Sequence, residues 1–540
     1  MPFVNGATLL ARALAIPDPG PIFTLSGNQV LPVYDAGIDS ALRFIDTRHE
    51  SAAAYMADAW GRLTGRPGIC LVTAGPGHTN ALTGVATALL AESPVIFLSG
   101  GCDVARLGQG GFQELDQISL AAPVCKAAWM ARSAAELPEL VARAHRTALE
   151  GVPGPVHITL PFDVLNEQVD EAAAPLPGRA AFEPRSLAAG QTAITRAVDL
   201  LASSRQPLAI SGPFAWRGAA GERLRELMRL VGMPAFPVES PRGLTDPSLH
   251  GIGSEFPRAD LTLLLAPQDF TIGFAGPRVL GQSQIIQVAP TDGELARNRP
   301  VDVGLVGDPT TVLGQLVAAV RADARFGSRS REWADSVAST HASNATRFTA
   351  EERTDATPVH PLRACVAVRD ALETGDCVVL DGGEFGQWAR WALGDGPYRQ
   401  VGNGKLGGIG GGISFAIAAK LAHPERRSVA MVGDGTFGFH AMEIDTAVRF
   451  GVPMVVVVGN DAGWAAERHR QRELYGPDRV VASDLLPSRY DLVATALGAH
   501  GELVERADEL DGALARAFAS GKPSVVNVMI DSVASPSSSH

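Results

Sequence analysis

The stretch from Arg426 to Gly463, RRSVAMVGDGTFGFHAMEIDTAVRFGVPMVVVVGNDAG, restricts the fold more than any other part of the chain. Its pattern predicts a strand over Arg426 to Val432, a glycine turn, and an amphipathic helix from about Phe439 to Phe450. A second strand follows over Val452 to Val458. An uninterrupted β-branched run of this kind is the mark of a strand buried on both faces of a parallel sheet. The unit therefore reads as a right-handed βαβ crossover. Asp434 and Asp461 then each stand just past a strand end, where open parallel sheets bind their ligands. Gly433 and Gly435 let backbone N–H groups approach an anion at a helix start. Two carboxylates beside an anion-binding turn call for a hard, oxygen-liganded cation such as Mg²⁺. Taken alone, the same letters also fit a plain Rossmann-like turn with two solvated loop aspartates.

The rest of the chain repeats this grammar. GICLVTAG and SPVIFLSG occur early, PLAISGP, LTLLLAP and SQIIQVAP in the middle, and DCVVLDGG late. An Ala/Pro-rich acidic stretch from about Asp170 to Pro184 and a polar stretch from about Thr340 to Pro361 read as linkers. The expected fold is α/β, three consecutive doubly wound domains with mostly parallel sheets. Their expected extents are 1–180, 187–340 and 358–530, with a flexible tail over 531–540. A length of 540 residues suits three domains of ordinary size. The formal net charge of −12 and the lack of a Lys/Arg-rich run argue against a nucleic-acid partner. No apolar run reaches membrane-spanning length and MPFVNGATLL lacks a leader's basic start, so a cytoplasmic protein without a membrane partner is expected. Cys70, Cys102, Cys125, Cys365 and Cys377 are scattered without a CxxC, and read as thiols rather than a disulfide or zinc framework.

GDG followed one βαβ unit later by Asn460-Asp461 resembles the signature of thiamine-diphosphate enzymes. The resemblance implies that Asp434, Asp461 and the carbonyl of Gly463 hold Mg²⁺ on the cofactor's diphosphate. Asp461 stands where Asn is commoner in that family, and adds a negative charge. In IDTRHESAAAY, Glu50 opens an alanine-rich helix. An isolated Glu there would simply suit the helix dipole. The resemblance gives it another role, a hydrogen bond to the cofactor's pyrimidine ring that favours the imino tautomer and so the thiazolium ylide. It further implies sites shared between subunits of a homodimer or homotetramer. The first domain is then pyrimidine-binding and the third diphosphate-binding.

Other matches extend this site. In GNGKLGGIGGG, Ile409 corresponds to the apolar wedge under the bent cofactor, with Gly407 beside it. DGGEFGQW contributes Gly383 and Glu384 near the diphosphate, and Thr436 follows the GDG turn. TAGPGHTN resembles the family's GPGxTN segment and supplies Gly75 and Asn80. GGFQELDQ carries Phe112 and Gln113, similar to acetolactate-synthase-like enzymes, in which the Gln points at the substrate.

IDTRHE, FQ…DQ and GPDRV are similar in flavour to benzaldehyde lyase and 2-hydroxyacyl-CoA lyases. The implied pocket is Asn28, Gln29, Gln113, Phe162 and Ala466, walled by Trp464. Gln29 stands where benzaldehyde lyase has a proton-relaying histidine, and an amide cannot titrate. The expected activity is C–C cleavage or ligation of 2-hydroxy ketones, 2-oxo acids or aldehydes. The alternatives are acetolactate synthesis, 2-oxo acid or oxalyl-CoA-like decarboxylation, and 2-hydroxyacyl-CoA cleavage. The middle domain lacks GxGxxG, and no flavin is expected there.

Overall fold

A computed structural model describes residues 3–265, 279–394 and 396–536. Three parallel sheets succeed one another along the chain, as the alternation of apolar runs and helical patterns requires. The first has the order Arg43–Asp46, Pro21–Thr24, Gly68–Val72, Val95–Gly101, Pro155–Pro161, Ala127–Met130. The third has the order Arg399–Gly402, Cys377–Leu380, Ser428–Gly433, Val455–Asn460, Ser524–Met529, His500–Val504. Counted along the chain, both sheets follow the same permutation, 2-1-3-4-6-5. The central sheet runs Ala235–Pro237, Pro207–Ser211, Leu261–Leu265, Gln284–Ala289, Val303–Val306. In each, the order reverses between the first and third strands, so their C-terminal ends diverge into a crevice. A short antiparallel ladder of Phe3–Asn5 on Gln168–Asp170 closes the first domain.

The described residues form two compact units. One holds the chain up to Arg185 together with Ile413–Ser428 and His440–Met454. The other holds Ser186–Gly412, Val429–Phe439 and the chain from Val455 onward. The middle and last sheets thus belong to one body, while two crossover segments of the last domain belong to the first.

The first unit shows how small residues set packing. In the helix Glu50–Thr64 every residue up to Arg62 is buried. Its alanines let the helix Pro76–Leu90 approach so closely that a Cβ on Gly84 would lie 2.6 Å from the Cβ of Ala54. Asp58 and Arg62 pair within this helix, with both side chains buried, so neither charge is left alone in the interior. Tyr55 meets Phe415 edge-to-face at 5.3 Å, which fixes the helix Gly412–Ala422 in the same unit.

Several details differ from expectation. The single helix expected over about 439–450 is two, Asp434–His440 and Glu443–Arg449, and the first starts directly on Asp434. The strands around it start two and three residues later than the apolar runs suggested, and end one and two residues later, at Ser428–Gly433 and Val455–Asn460. The second linker begins inside the helix Glu332–Ala345. The first is not a free tether, because its Phe182 is buried in the core of the first domain. The expected tail is packed over its first residues. Ser535 is buried, and its N–H bonds Glu384. Val533 O accepts from Trp388 Nε1 at 3.0 Å. The end of LTLLLAP and residues 537–540 lie outside the described residues. All five cysteines are free, and four of them are buried. Among the described residues, no helix is long and apolar enough to cross a membrane.

Glu443 is buried in the first unit and accepts from Arg48 N–H at 2.9 Å and from Thr446 Oγ1 at 2.7 Å. Burial pushes its carboxyl from an ordinary value of 4.5 up to about 7. The folded protein therefore keeps a proton there that the unfolded chain loses sooner. Stability falls as pH rises through that window and levels off above it. Chemical denaturation at pH 5 and pH 8 should show a smaller loss in Glu443→Gln than in the unaltered protein. Equal losses in the two proteins would remove Glu443 as the cause.

Candidate active site

In the second unit, a cavity of about 370 Å³ opens where the third sheet reverses its strand order. The strand Cys377–Leu380 leads into Asp381, Gly382 and Gly383, and the strand Ser428–Gly433 leads into Asp434. The neighbouring strand Val455–Asn460 leads into Asp461. Gly383, Glu384, Gly407 and Ile409 line this cavity, as do Gly433, Asp434, Gly435 and Thr436. Asp461, Gly463, Trp464 and Ala466 complete that wall. The rim from the central domain is Ser240, Pro241 and Arg242, which the sequence reading did not anticipate.

Two glycines in the cavity wall are dictated by packing. A Cβ on Gly382 would lie 2.5 Å from Cγ2 of Ile409, and one on Gly435 would lie 2.6 Å from the Trp464 ring. Ile409 is thereby pressed against one strand-end turn and Trp464 against the other. Thr436 Oγ1 turns back to Gly433 O at 3.0 Å and closes the helix start.

The electrostatics centre on two carboxylates. Burial raises the pKa of Asp434 to about 7, with the negative charge of Asp461 as the next cause. Gly463 N–H donates to Asp434 Oδ2 at 2.9 Å, which ties the two loops together. Burial also raises Asp461, against the opposing effects of Ser532, Arg468 and His469. Ala462, between them, is held at φ 54°, a left-handed conformation unusual for a residue with a Cβ. Among the described residues no group of three His, Cys, Asp or Glu side chains gathers as a metal cage. Two carboxylates without a third suit an ion that takes its remaining oxygens from water, backbone and a bound phosphate, as Mg²⁺ does.

Glu384 departs from its expected setting. Its carboxylate accepts the N–H of Ser535 and lies 3.6 Å from His469 Nδ1. The Glu384 side chain is thus engaged within the protein, while Gly383 before it is held at φ 81°.

The first unit carries a separate constellation, also at a strand-order reversal. Gln29 follows the strand Pro21–Thr24, and Thr73 follows Gly68–Val72. Thr73 Oγ1 donates to Gln29 Oε1, and Gln29 Nε2 donates to Gln113 Oε1 at 2.9 Å. Gln113 sits at φ 59°, against Gly75 at φ 60°, where a Cβ would meet Gln113 Cβ at 2.8 Å. The buried Gln117 underpins this turn: its Oε1 accepts Gly75 N–H at 3.1 Å and its Nε2 donates to Gly100 O at 3.0 Å. Asn80 Nδ2 donates to Glu50 Oε2 at 3.0 Å, leaving Oε1 of this buried carboxylate beside Gly77. Asn28 and Phe112 are exposed neighbours of the two glutamines in the chain, and Phe162, 36% exposed, begins the short helix Phe162–Asn166 after the strand Pro155–Pro161.

Comparison with known proteins matches these parts in order. Residues 4–120 fit the N-terminal TPP-binding domain of thiamine pyrophosphate enzymes, 194–316 their central domain and 381–528 their C-terminal TPP-binding domain. The chain belongs to the thiamine pyrophosphate enzymes. It is 36% identical over 99% of its length to the acetolactate synthase large subunit of Mycobacterium tuberculosis, covering 97% of that protein. It is 31% identical over 98% of its length to a 2-hydroxyacyl-CoA lyase of Arabidopsis thaliana, covering 96% of it. It is also 32% identical over 96% of its length to an oxalyl-CoA decarboxylase of Escherichia coli, covering 94% of it. As a thiamine pyrophosphate enzyme it uses thiamine diphosphate on small molecules.

In this thiamine pyrophosphate enzyme, one residue that assembles the cavity wall, Asp381, carries no role in the motifs of the sequence. Asp381 accepts from Gly382 N–H, from Asn403 Nδ2 at 3.2 Å, from Gly410 N–H at 3.1 Å and from Gly412 N–H at 2.9 Å. It thereby clamps the glycine-rich loop around Ile409. The available signal was its position, an aspartate at a strand end before two glycines, like Asp434. Asp381→Ala should destabilise the protein by about 3 kcal/mol in urea unfolding, since several buried N–H groups lose their acceptor. A loss below about 0.5 kcal/mol, the scale of an ordinary surface change, would contradict the clamp.

Proposed function

We propose that this chain is a Mg²⁺-dependent carboligase or C–C lyase acting on 2-oxo acids, aldehydes or 2-hydroxy ketones. The observation that carries the reading is the Gln29–Gln113 pair backed by Thr73. An amide array of this kind orients carbonyl and hydroxyl oxygens by hydrogen bonds and neither takes up nor releases protons near neutral pH. It suits the alignment of two carbonyl partners, or the two halves of an acyloin. The relative named acetolactate synthase, matched along almost the whole of both chains, favours the same class.

When bound, thiamine diphosphate provides a nucleophilic carbon that can take up the electron pair of a bond next to a carbonyl. The settings of the protein side chains support the following roles. Glu50, held by Asn80 through Oε2, offers Oε1 to a ring nitrogen and holds the proton shared there. Asp434 and Asp461, with the carbonyl of Gly463, hold Mg²⁺. Backbone at Gly383, Gly433 and Gly435 takes the diphosphate, and Ile409 sets its bend. Trp464, Ala466, Asn28, Phe112 and Phe162 shape the substrate space. Among the described residues, those lining the second unit's cavity all come from the central and last domains. We therefore infer that a partner copy supplies Glu50 and the glutamines, in a homodimer or homotetramer.

Decarboxylation of a 2-oxo acid or of an oxalyl-CoA-like thioester, and 2-hydroxyacyl-CoA cleavage, form the second reading, supported by the relatives with those names. Incubation with pyruvate, benzoin and a 2-hydroxyacyl-CoA separates them. Aldehyde exchange or acyloin formation from benzoin is expected, whereas CO₂ release without ligation would favour the second reading. Thermal shift should rise with thiamine diphosphate only when Mg²⁺ is present. Glu50→Gln should keep that shift and lose at least about a hundredfold in turnover, the usual scale for a positioned proton-transfer group. Near-normal rates in this variant would refute the role given to Glu50.

A further inference from the structure

Asp461 brings a second buried negative charge beside Asp434, and the chain answers it locally. Arg468, on the first turn of the helix Ala465–Tyr475, is buried, and its Nη1 lies 3.5 Å from Asp461 Oδ2. Its Nη2 donates to Ala462 O at 2.9 Å and to Ser483 O at 3.3 Å. Nη1 also donates to Ser532 Oγ at 3.2 Å, and that hydroxyl donates to Asp461 Oδ2 at 2.8 Å. The remaining ion pair, to the exposed Asp484 at 3.2 Å, is solvent-screened and weak. Gly463 leaves room for the guanidinium, since any Cβ there would overlap Nη2. The loop 461–463 is thus wrapped around one cation: a carboxylate, a left-handed residue's carbonyl and a glycine gap all address the same side chain.

A buried carboxylate without a counter-charge is costly, and so is a buried guanidinium without one. A planar fork that reaches a carboxylate and two carbonyls together is a capability of Arg that Lys lacks. We propose that Arg468 is the positioning residue and counter-ion that lets the metal loop carry aspartate at 461, and that the pair together sets the affinity for the divalent cation. The proposal rests on the reading of Asp434 and Asp461 as Mg²⁺ ligands. Residues 461 and 468 then act as one unit. An Asn at 461 would leave the guanidinium unopposed next to the ion. A neutral residue at 468 would leave the carboxylate uncompensated and the loop unbraced. Changing both restores local neutrality.

The test is calorimetric titration of MgCl₂ into the full-length protein saturated with thiamine diphosphate, for the unaltered chain, Arg468→Met, Asp461→Asn and the double variant. Each single variant should weaken Mg²⁺ binding by about tenfold, and the double variant should return to within about threefold of the unaltered chain, the non-additivity of a coupled pair. Arg468→Lys, which keeps the charge and loses the fork, should fall between. If the double variant loses affinity by the product of the two single losses, Arg468 is a loop brace only and the proposal fails. Should Arg468→Met not fold by circular dichroism, comparison of Asp461→Asn with the double variant decides, since only coupling predicts tighter binding in the double. Absence of any Mg²⁺ binding by the unaltered chain would instead overturn the metal-ligand reading itself.

Discussion

The cavity of the last domain depends on carboxylates placed where parallel strands end. A strand end leaves backbone N–H groups without a ladder partner, and a glycine-rich turn exposes more of them. Asp381 collects those of Gly382, Gly410 and Gly412 in one buried side chain. Asp434 does the same for Gly463 across to the next strand. Asp381 thus fixes Gly382, against which Ile409 presses, and Asp434 fixes Gly463, the residue before Trp464. The cavity is therefore a consequence of topology first, and of particular side chains second. The switch in strand order opens the crevice, and the aspartates hold its lips.

That hierarchy explains what was legible in the sequence. The β-branched runs and glycine turns disclosed three parallel α/β domains, because burial on both faces leaves so narrow a choice of residues. Strand-end motifs such as GDG and the RHE before the alanines are local in the chain, and the residues they pointed to in the last domain do line one cavity. Arg468 and Ser532 meet Asp461 only after two loops and the chain's last segment have folded together, and no spacing announces that. The break between the helices Asp434–His440 and Glu443–Arg449 also escaped, since no proline or helix-ending glycine stands between them. The end of the chain was misjudged for a related reason. DSVASPSSSH is polar enough to read as tail, yet Ser532 and Ser535 use those polar groups on buried partners.

The first and last sheets share one strand permutation and carry opposite chemistry at the same place in it. After the first and third strands of the first sheet stand Gln29 and Thr73, neutral and engaged with each other and with Gln113. After the corresponding strands of the third sheet stand Asp381 and Asp434, both buried and both pushed toward their protonated forms by that burial. A common crevice geometry thus leaves the choice of ligand to the residues that follow the strands. Amides at that position orient neutral oxygens, whereas carboxylates concentrate negative charge that only backbone N–H groups or a cation can relieve. Asp381 is partly relieved by backbone N–H groups and Asn403, whereas Asp434 also faces the like charge of Asp461. Of the two strand-end aspartates, it is the one whose surroundings still call for positive charge, and Asp461, already shared with Arg468 and Ser532, cannot answer that call alone.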